Sequence, residues 1–203
     1  MARSTRESIL TAAAELMRHK GYGAVGMKDI AAASGAPIGS LYHHFRGGKV
    51  QIAREALINA GHAYALLIPS IVDEYTDLGD AVDAVFTQAA EDMAGTGFAN
   101  MCPVASVAAE VADTVEELRE TSASVFGGWI DGGSAYFAAR GLDSSQARDV
   151  TLALIGALEG AFVLARTLRS TEPLLAAGRA LAPQYRGVAL IPRVVPEGVG
   201  SAR

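Results

Sequence analysis

Met27-Lys28-Asp29-Ile30-Ala31-Ala32-Ala33-Ser34-Gly35-Ala36-Pro37-Ile38-Gly39-Ser40-Leu41-Tyr42-His43-His44-Phe45 is the stretch whose reading decides the fold. It predicts one short helix from about Met27 to Ser34 and a second from Pro37, joined by the tight turn Ser34-Gly35-Ala36. Proline suits the first helical position because its missing N–H would have no intrahelical partner there. Leu41 and Phe45 stand four apart and face the core together, which leaves Ile38, Ser40, His43 and His44 partly outward. Two short helices across a glycine turn, with small residues where they approach, predict a helix-turn-helix whose second helix enters the major groove of DNA.

Outward from this stretch the sequence reads as helix throughout. Ser4 with Glu7 three residues later is a capping box, and Ile9, Leu10, Ala13, Leu16 and Met17 form the apolar face that follows, up to a stop at Gly21. Lys49 opens a longer helix to about Ile68, which Pro69 is expected to end. Further helices are predicted from Leu78 to the Gly95-Thr96-Gly97 break, from Pro103 to about Ala112, and from a Thr114 cap to about Arg140. Another runs from a Ser144 cap to Leu168, and a last from Glu172-Pro173 to about Ala182. The segment from Pro183, which contains Pro192 and Pro196, reads as loop, with 191–203 a flexible tail.

Half of the 203 residues are hydrophobic, enough for a sizeable core, so a disordered chain is excluded. The net charge of −5 argues against a polyanionic partner only if it is evenly spread. It is not. Through Leu57 the chain carries eight Lys/Arg against four acids, a balance of +4, and the remainder carries −9. A basic segment on an acidic body suggests a nucleic-acid-facing N-terminus and a body with another task. One cysteine closes no internal disulfide and builds no Cys-rich zinc site, so a reducing compartment is expected. No apolar signal run follows Met1. The longest apolar stretch, Val150 to Ala165, contains Thr151 and Glu159 and reads as too short and too interrupted to span a bilayer. A cytoplasmic protein without a membrane partner is expected.

Ile9 to Gly21, Met27-Lys28-Asp29-Ile30-Ala31, Gly35, Gly39 to Phe45 and Lys49 together resemble the TetR family of transcriptional regulators. Phe45-Arg46-Gly47-Gly48-Lys49, Cys102-Pro103-Val104-Ala105 and Leu158-Glu159-Gly160-Ala161 are similar to its lincomycin-resistance-repressor-like branch. The resemblance implies an all-α homodimer with a three-helix DNA-binding domain at 1–50 and a helical ligand-binding and dimerisation domain at 51–190. It implies a repressor that leaves operator DNA when a small-molecule effector binds. Carried over by position, the DNA-facing set is Lys28, Pro37, Ile38, Gly39, Ser40, Tyr42, His43, His44 and Lys49. Ser40, Tyr42 and His43 would mostly hold phosphates, and residues early in the second helix would touch bases. Two positions depart from the family pattern. Gly26 replaces the usual Thr or Ser cap, and Ile38 replaces a polar residue, so no bidentate base contact is available there.

In the body, the helix from Ser144 to Leu168 is apolar nearly all round and must be covered on more than one side. Gly156 and Gly160 offer a small face for a second helix, and the resemblance implies a dimer interface involving Leu152, Ile155, Gly156, Gly160, Val163 and Leu174. Candidate cavity residues are Phe86, Met93, Phe98, Met101, Cys102, Phe126, Trp129, Ile130, Tyr136, Phe137, Glu159 and Phe162, since effector sites are mostly apolar with few polar groups. Glu159 stands out because a carboxylate on an apolar helix needs a partner. His43 and His44 are adjacent and point about 100° apart on a helix, so no metal site or cofactor is expected. No phosphate loop or nucleophile grouping supports catalysis. The alternative is a helical enzyme or small-molecule carrier whose N-terminal bundle is merely structural.

Overall fold

The computed structural model describes residues 4–99 and 101–192, so most of the expected tail at 191–203 lies outside the described residues. Among them are nine helices and no strand: α1 (Thr5–Lys20), α2 (Met27–Ser34), α3 (Ile38–His44), α4 (Gly48–Val72), α5 (Leu78–Gly95), α6 (Pro103–Val111), α7 (Glu116–Ala139), α8 (Ser144–Leu168) and α9 (Glu172–Tyr185). The capping box at α1 is present, with Ser4 Oγ accepting from the Glu7 N–H at 3.3 Å and Glu7 accepting from the Ser4 N–H at 2.9 Å.

Several helix ends differ from the sequence reading. Pro37 is the N-cap of α3 and not its first residue, because its ψ of 142° is extended. Pro69 does not end α4. It removes one donor near the C-terminus, Ser70 Oγ donates to the Leu67 carbonyl at 2.7 Å, and the helix runs to Val72. Val115, not Thr114, is the N-cap residue of α7 and gives no side-chain bond. Asp143, not Ser144, caps α8, accepting from the Ser145 and Gln146 N–H groups at 2.9 Å each. The helix α9 passes through Pro183 to Tyr185, and the following segment is tied down rather than looping free. There Leu190 is buried, Asp77 bridges to Ala189, and the almost fully buried Arg140 donates to the Ile191 carbonyl.

Two apolar cores result, and they do not divide at residue 50. The first joins α1–α3 and the N-terminal half of α4 to Cys102, Val104, Val107 and Val111 of the α6 segment and Leu118 of α7. The second joins Val72 and α5 to Phe137, α8, α9 and Leu190. Helix α6 thus belongs to the core of the N-terminal head. By length and apolar composition, α4 and α8 would each be able to cross a bilayer, which corrects the expectation that the α8 stretch is too short. In the fold α8 packs against α5, α7 and α9.

Candidate nucleic-acid interface and effector cavity

Helices α2 and α3 are set by local chemistry. Gly26 brings no side chain to the N-terminus of α2, yet Asp29 reaches back and accepts the Gly26 N–H at 2.7 Å. Half of a capping box survives the missing Thr or Ser. Gly35 ends α2 at φ 68°, ψ 9°, the left-handed region where a Cβ is costly. Ser34 Oγ accepts from the Ala36 N–H and donates to the Ala31 carbonyl, closing the turn.

Leu41 and Phe45 are fully buried with Ile9, Met17 and Ile30, which fixes the orientation of α3. One turn apart on its other side, Ile38 is 43% exposed and Tyr42 56% exposed. Pro37, Gly39 and His43 are exposed beside them, and Ser40 and His44 are half-buried. Lys28 is exposed on α2. Lys49 is placed differently: its ammonium lies 4.0 Å from the Tyr22 ring centroid and 3.5 Å from the Gly23 carbonyl. Burial lowers its pKa, opposed by the charges of Glu110 and Asp29. The His43 and His44 rings meet edge-on with centroids 5.2 Å apart. Among the described residues no three or more His, Cys, Asp or Glu side chains are grouped to hold a metal.

The turn after α1 is gripped by side chains of α6 and α8. The Glu110 carboxylate on α6 accepts from the Tyr22 and Gly23 N–H groups, both at 2.6 Å. Arg166 on α8 donates to the Arg18 and His19 carbonyls at 2.9 and 2.8 Å, satisfying orphan acceptors at the end of α1. Sequence reasoning missed both residues, whose partners lie about 88 and 147 positions away, and no local signal marks them.

A cavity of about 370 Å³ lies between α4, α5, α7 and α8. Of the expected lining, Trp129, Tyr136, Phe137, Glu159 and Phe162 are on its wall. The others are elsewhere. Phe86 and Met93 are buried off the wall, and Phe86 packs on α9, where a Cβ on Gly178 would lie 2.8 Å from it. Phe98 packs against the same core, whereas Cys102 and Phe126 belong to the head core. Met101 and Ile130 are half-buried off the wall. The stretch Tyr64 to Pro69 of α4 supplies the wall that sequence reasoning missed. Its only signal was an unbroken apolar run, which does not say what it faces.

Glu159 is mostly buried on this wall. Burial raises its pKa, a hydrogen bond from the Cys102 thiol opposes that, and its Oε2 has no partner. The Cys102 thiol itself is pushed well up by burial and by Glu159, and its sulfur caps α6 by accepting from the Ala105 N–H. Outside the cavity, Leu152, Gly156, Gly160 and Val163 form an exposed stripe on α8. Ile155 turns to the cavity wall. Leu174 is fully buried in its own core and so cannot lie on a subunit interface, which corrects that expectation.

The family profile "Bacterial regulatory proteins, tetR family" matches residues 9–56, and "Transcriptional regulator LmrA/YxaF-like, C-terminal domain" matches residues 79–180. The HTH-type transcriptional regulator LmrA of Bacillus subtilis is 31% identical over 171 residues, covering 84% of this chain and 91% of LmrA. The chain belongs to the TetR family. YxaF of Bacillus subtilis, another HTH-type regulator, is 33% identical, covering 84% of this chain and 90% of its own length. The TetR fold recurs in a regulatory protein from Rhodobacter sphaeroides, with TM-score 0.76, 22% identity, and coverage of 88% of this chain and 97% of that one. A TetR regulator from Chloroflexus aurantiacus gives TM-score 0.72 at 26% identity, covering 92% and 96%. As a TetR-family member, the chain is a DNA-binding transcriptional regulator with its helix-turn-helix in α2 and α3. Its relatives are regulators, not enzymes.

Proposed function

We propose that this TetR-family regulator is a cytoplasmic homodimeric repressor, released from its operator when a small apolar molecule enters the cavity. The head at 1–50 reads DNA and the body at 51–190 senses and dimerises. The observation that carries this reading is the cavity itself: an open, mostly apolar interior bounded by α4, the helix whose other end carries the DNA-reading head. Cavities of this size are typical of small-molecule sites.

Lys28, Ile38, Gly39, Ser40, Tyr42, His43 and His44 form the DNA-facing surface, with Pro37 at its edge. Ile38 is suited to a thymine methyl, and the polar residues to phosphates. Lys49 contributes by holding the turn at Tyr22 and Gly23, and reaches a phosphate only if it leaves that turn. Dimerisation uses the exposed stripe Leu152, Gly156, Gly160 and Val163 with the neighbouring apolar groove of Ala161, Leu164, Leu168 and Ala176, so that two heads engage half-sites about one helical turn apart. Effector binding shifts the population toward an arrangement whose heads no longer match that spacing. Arg166 of α8, with Glu110 of α6, grips the turn after α1 and is the contact through which the body positions the head.

The test is fluorescence anisotropy on DNA upstream of the chain's own gene and its neighbours, with sedimentation of the free protein. Specific, salt-sensitive binding by a dimer is expected. A monomer, or no specific binding to any such fragment at moderate salt, would overturn the reading.

A further inference from the structure

The chemistry of the cavity wall points to a ligand class, which rests on the reading of the cavity as the effector site. Most of its polar groups are already committed within the protein. The Trp129 indole N–H donates to the Gly61 carbonyl at 2.8 Å. The Tyr136 hydroxyl donates to Asp73 and accepts from Arg140, both at 2.7 Å. Thr151 donates to the Ala147 carbonyl at 2.7 Å, and the Gln88 amide donates to Asp92 at 3.1 Å. These side chains therefore present ring faces and carbon to the interior. Glu159 is the exception, with a buried oxygen that no protein group satisfies.

The charge balance has one sign. Asp92 and Glu159 are on the wall, and no Lys, Arg or His among the described residues joins them. Arg18, whose charge reaches Tyr64, is paired with Glu15. A purely apolar ligand would seal the Glu159 carboxylate from water with only the Cys102 thiol as donor, and an anion would add repulsion, both costly in a low-dielectric site. A cation meets the reverse conditions, because aromatic faces attract it and a carboxylate pairs with it. An ammonium N–H adds a charge-assisted hydrogen bond to that pairing.

We propose that the effector is a lipophilic amine, a ring-bearing apolar body whose protonated nitrogen pairs with Glu159 on the wall that also carries the Tyr64 and Trp129 rings. Tyr64 stacks on Trp129 at 6.2 Å between centroids, and both rings line the same wall as Glu159. Burial keeps the Tyr64 hydroxyl protonated, its pKa raised to about 12, so it stays neutral beside the ion pair.

The test uses diphenhydramine, protonated at pH 7, against the neutral compound in which an isopropyl group replaces its dimethylammonium. Trp129 is the only tryptophan and sits on the wall, so its fluorescence together with calorimetry reports binding. Wild type is expected to bind the amine at least about tenfold tighter than the neutral compound, as an unpaired buried carboxylate penalises the latter. In Glu159→Gln that preference should fall to near one, and Glu159→Leu should take the neutral compound at least as well as wild type. Equal affinity for the two probes in wild type, or a preference that survives Glu159→Gln, overturns the ligand class and leaves the cavity reading standing. Binding of neither probe overturns both. Amine binding with the expected preference but without any loss of DNA affinity supports the ligand class and overturns release from the operator.

Discussion

Beneath α3, Leu41 and Phe45 close against Ile9, Met17 and Ile30 with no exposed surface, whereas the interior bounded by α4, α5, α7 and α8 keeps about 370 Å³ open. Both regions are built from apolar helices, yet they use their cores in opposite ways. The head fills its core, and Ile38 and Tyr42, of the proposed DNA-facing set, project from a frame fixed by packing. The body leaves part of its interior unfilled and carries on that wall one carboxylate, Glu159, with an oxygen that no protein group satisfies. Protein interiors are ordinarily packed at crystal density, so the open apolar interior is what the proposed effector site rests on.

The largest effect that would test this contrast comes from truncating one phenylalanine in each region. Phe45→Ala is expected to destabilise by about 3–5 kcal/mol, as for a fully packed aromatic. Phe162→Ala, which only enlarges an existing cavity, should cost less than about half of that. Urea denaturation of the two variants checks the difference, and equal losses would mean that the body is as tightly filled as the head.

A pair of glycines, one buried and one exposed, sharpens the comparison within the body. A Cβ at Gly79 would lie 2.7 Å from the Ala182 carbonyl oxygen, between α5 and α9, so Gly79→Leu is expected to cost about 1–3 kcal/mol or more through overpacking. A Cβ at Gly156 meets nothing within 4 Å in its own subunit. Gly156→Leu should therefore keep the helical content of the chain and reduce the sedimenting mass from dimer toward monomer. Unchanged mass would remove the α8 stripe from the interface.

On the head, Lys28→Ala and Lys49→Ala should separate. Lys28 is exposed, so its loss should lower the slope of log affinity against log salt by about one. Lys49 is seated on Tyr22, so its loss should lower the melting temperature of the head with a smaller change in slope. Anisotropy at several salt concentrations, with thermal melts, checks both.

The smallest expected effect is at Glu159. Its pKa is raised by burial, so the folded chain holds more protons than the unfolded chain above the ordinary glutamate value of 4.5. Stability then falls as pH rises from 4.5 through the folded-state value. Glu159→Gln removes that loss and should melt higher than wild type at pH 7, with the gap closing below pH 4.5. A gap independent of pH would show that Glu159 is not the titrating group.

Much of the head was legible in the sequence because its signals are local. The Ser4 and Glu7 capping box, the tight turn at Gly35, and the i, i+4 pair Leu41 and Phe45 act over three or four residues and recur in the structure as read. The cavity was less legible. Trp129, Tyr136, Phe137, Glu159 and Phe162 lie on its wall, but Phe86 turns to Gly178 of α9 and Cys102 joins the head core. An apolar residue on a helix that is apolar nearly all round carries no mark of which neighbour it will meet. The glycines show the same limit. Gly156 and Gly160 attracted notice by their spacing, whereas the close helix approaches within the subunit use Gly61, Gly79, Gly133 and Gly178.

By itself the sequence determined the all-helical class, the helix-turn-helix and the division into a basic head and an acidic body, since periodicity, caps and charge are properties of short stretches. Tertiary structure alone decided that α6 belongs to the core of the head, that Glu110 and Arg166 hold the turn after α1, and that Glu159 is left without a protein partner for its buried oxygen. Those outcomes depend on how whole helices cross, and crossing is set by the summed packing of residues far apart in the chain.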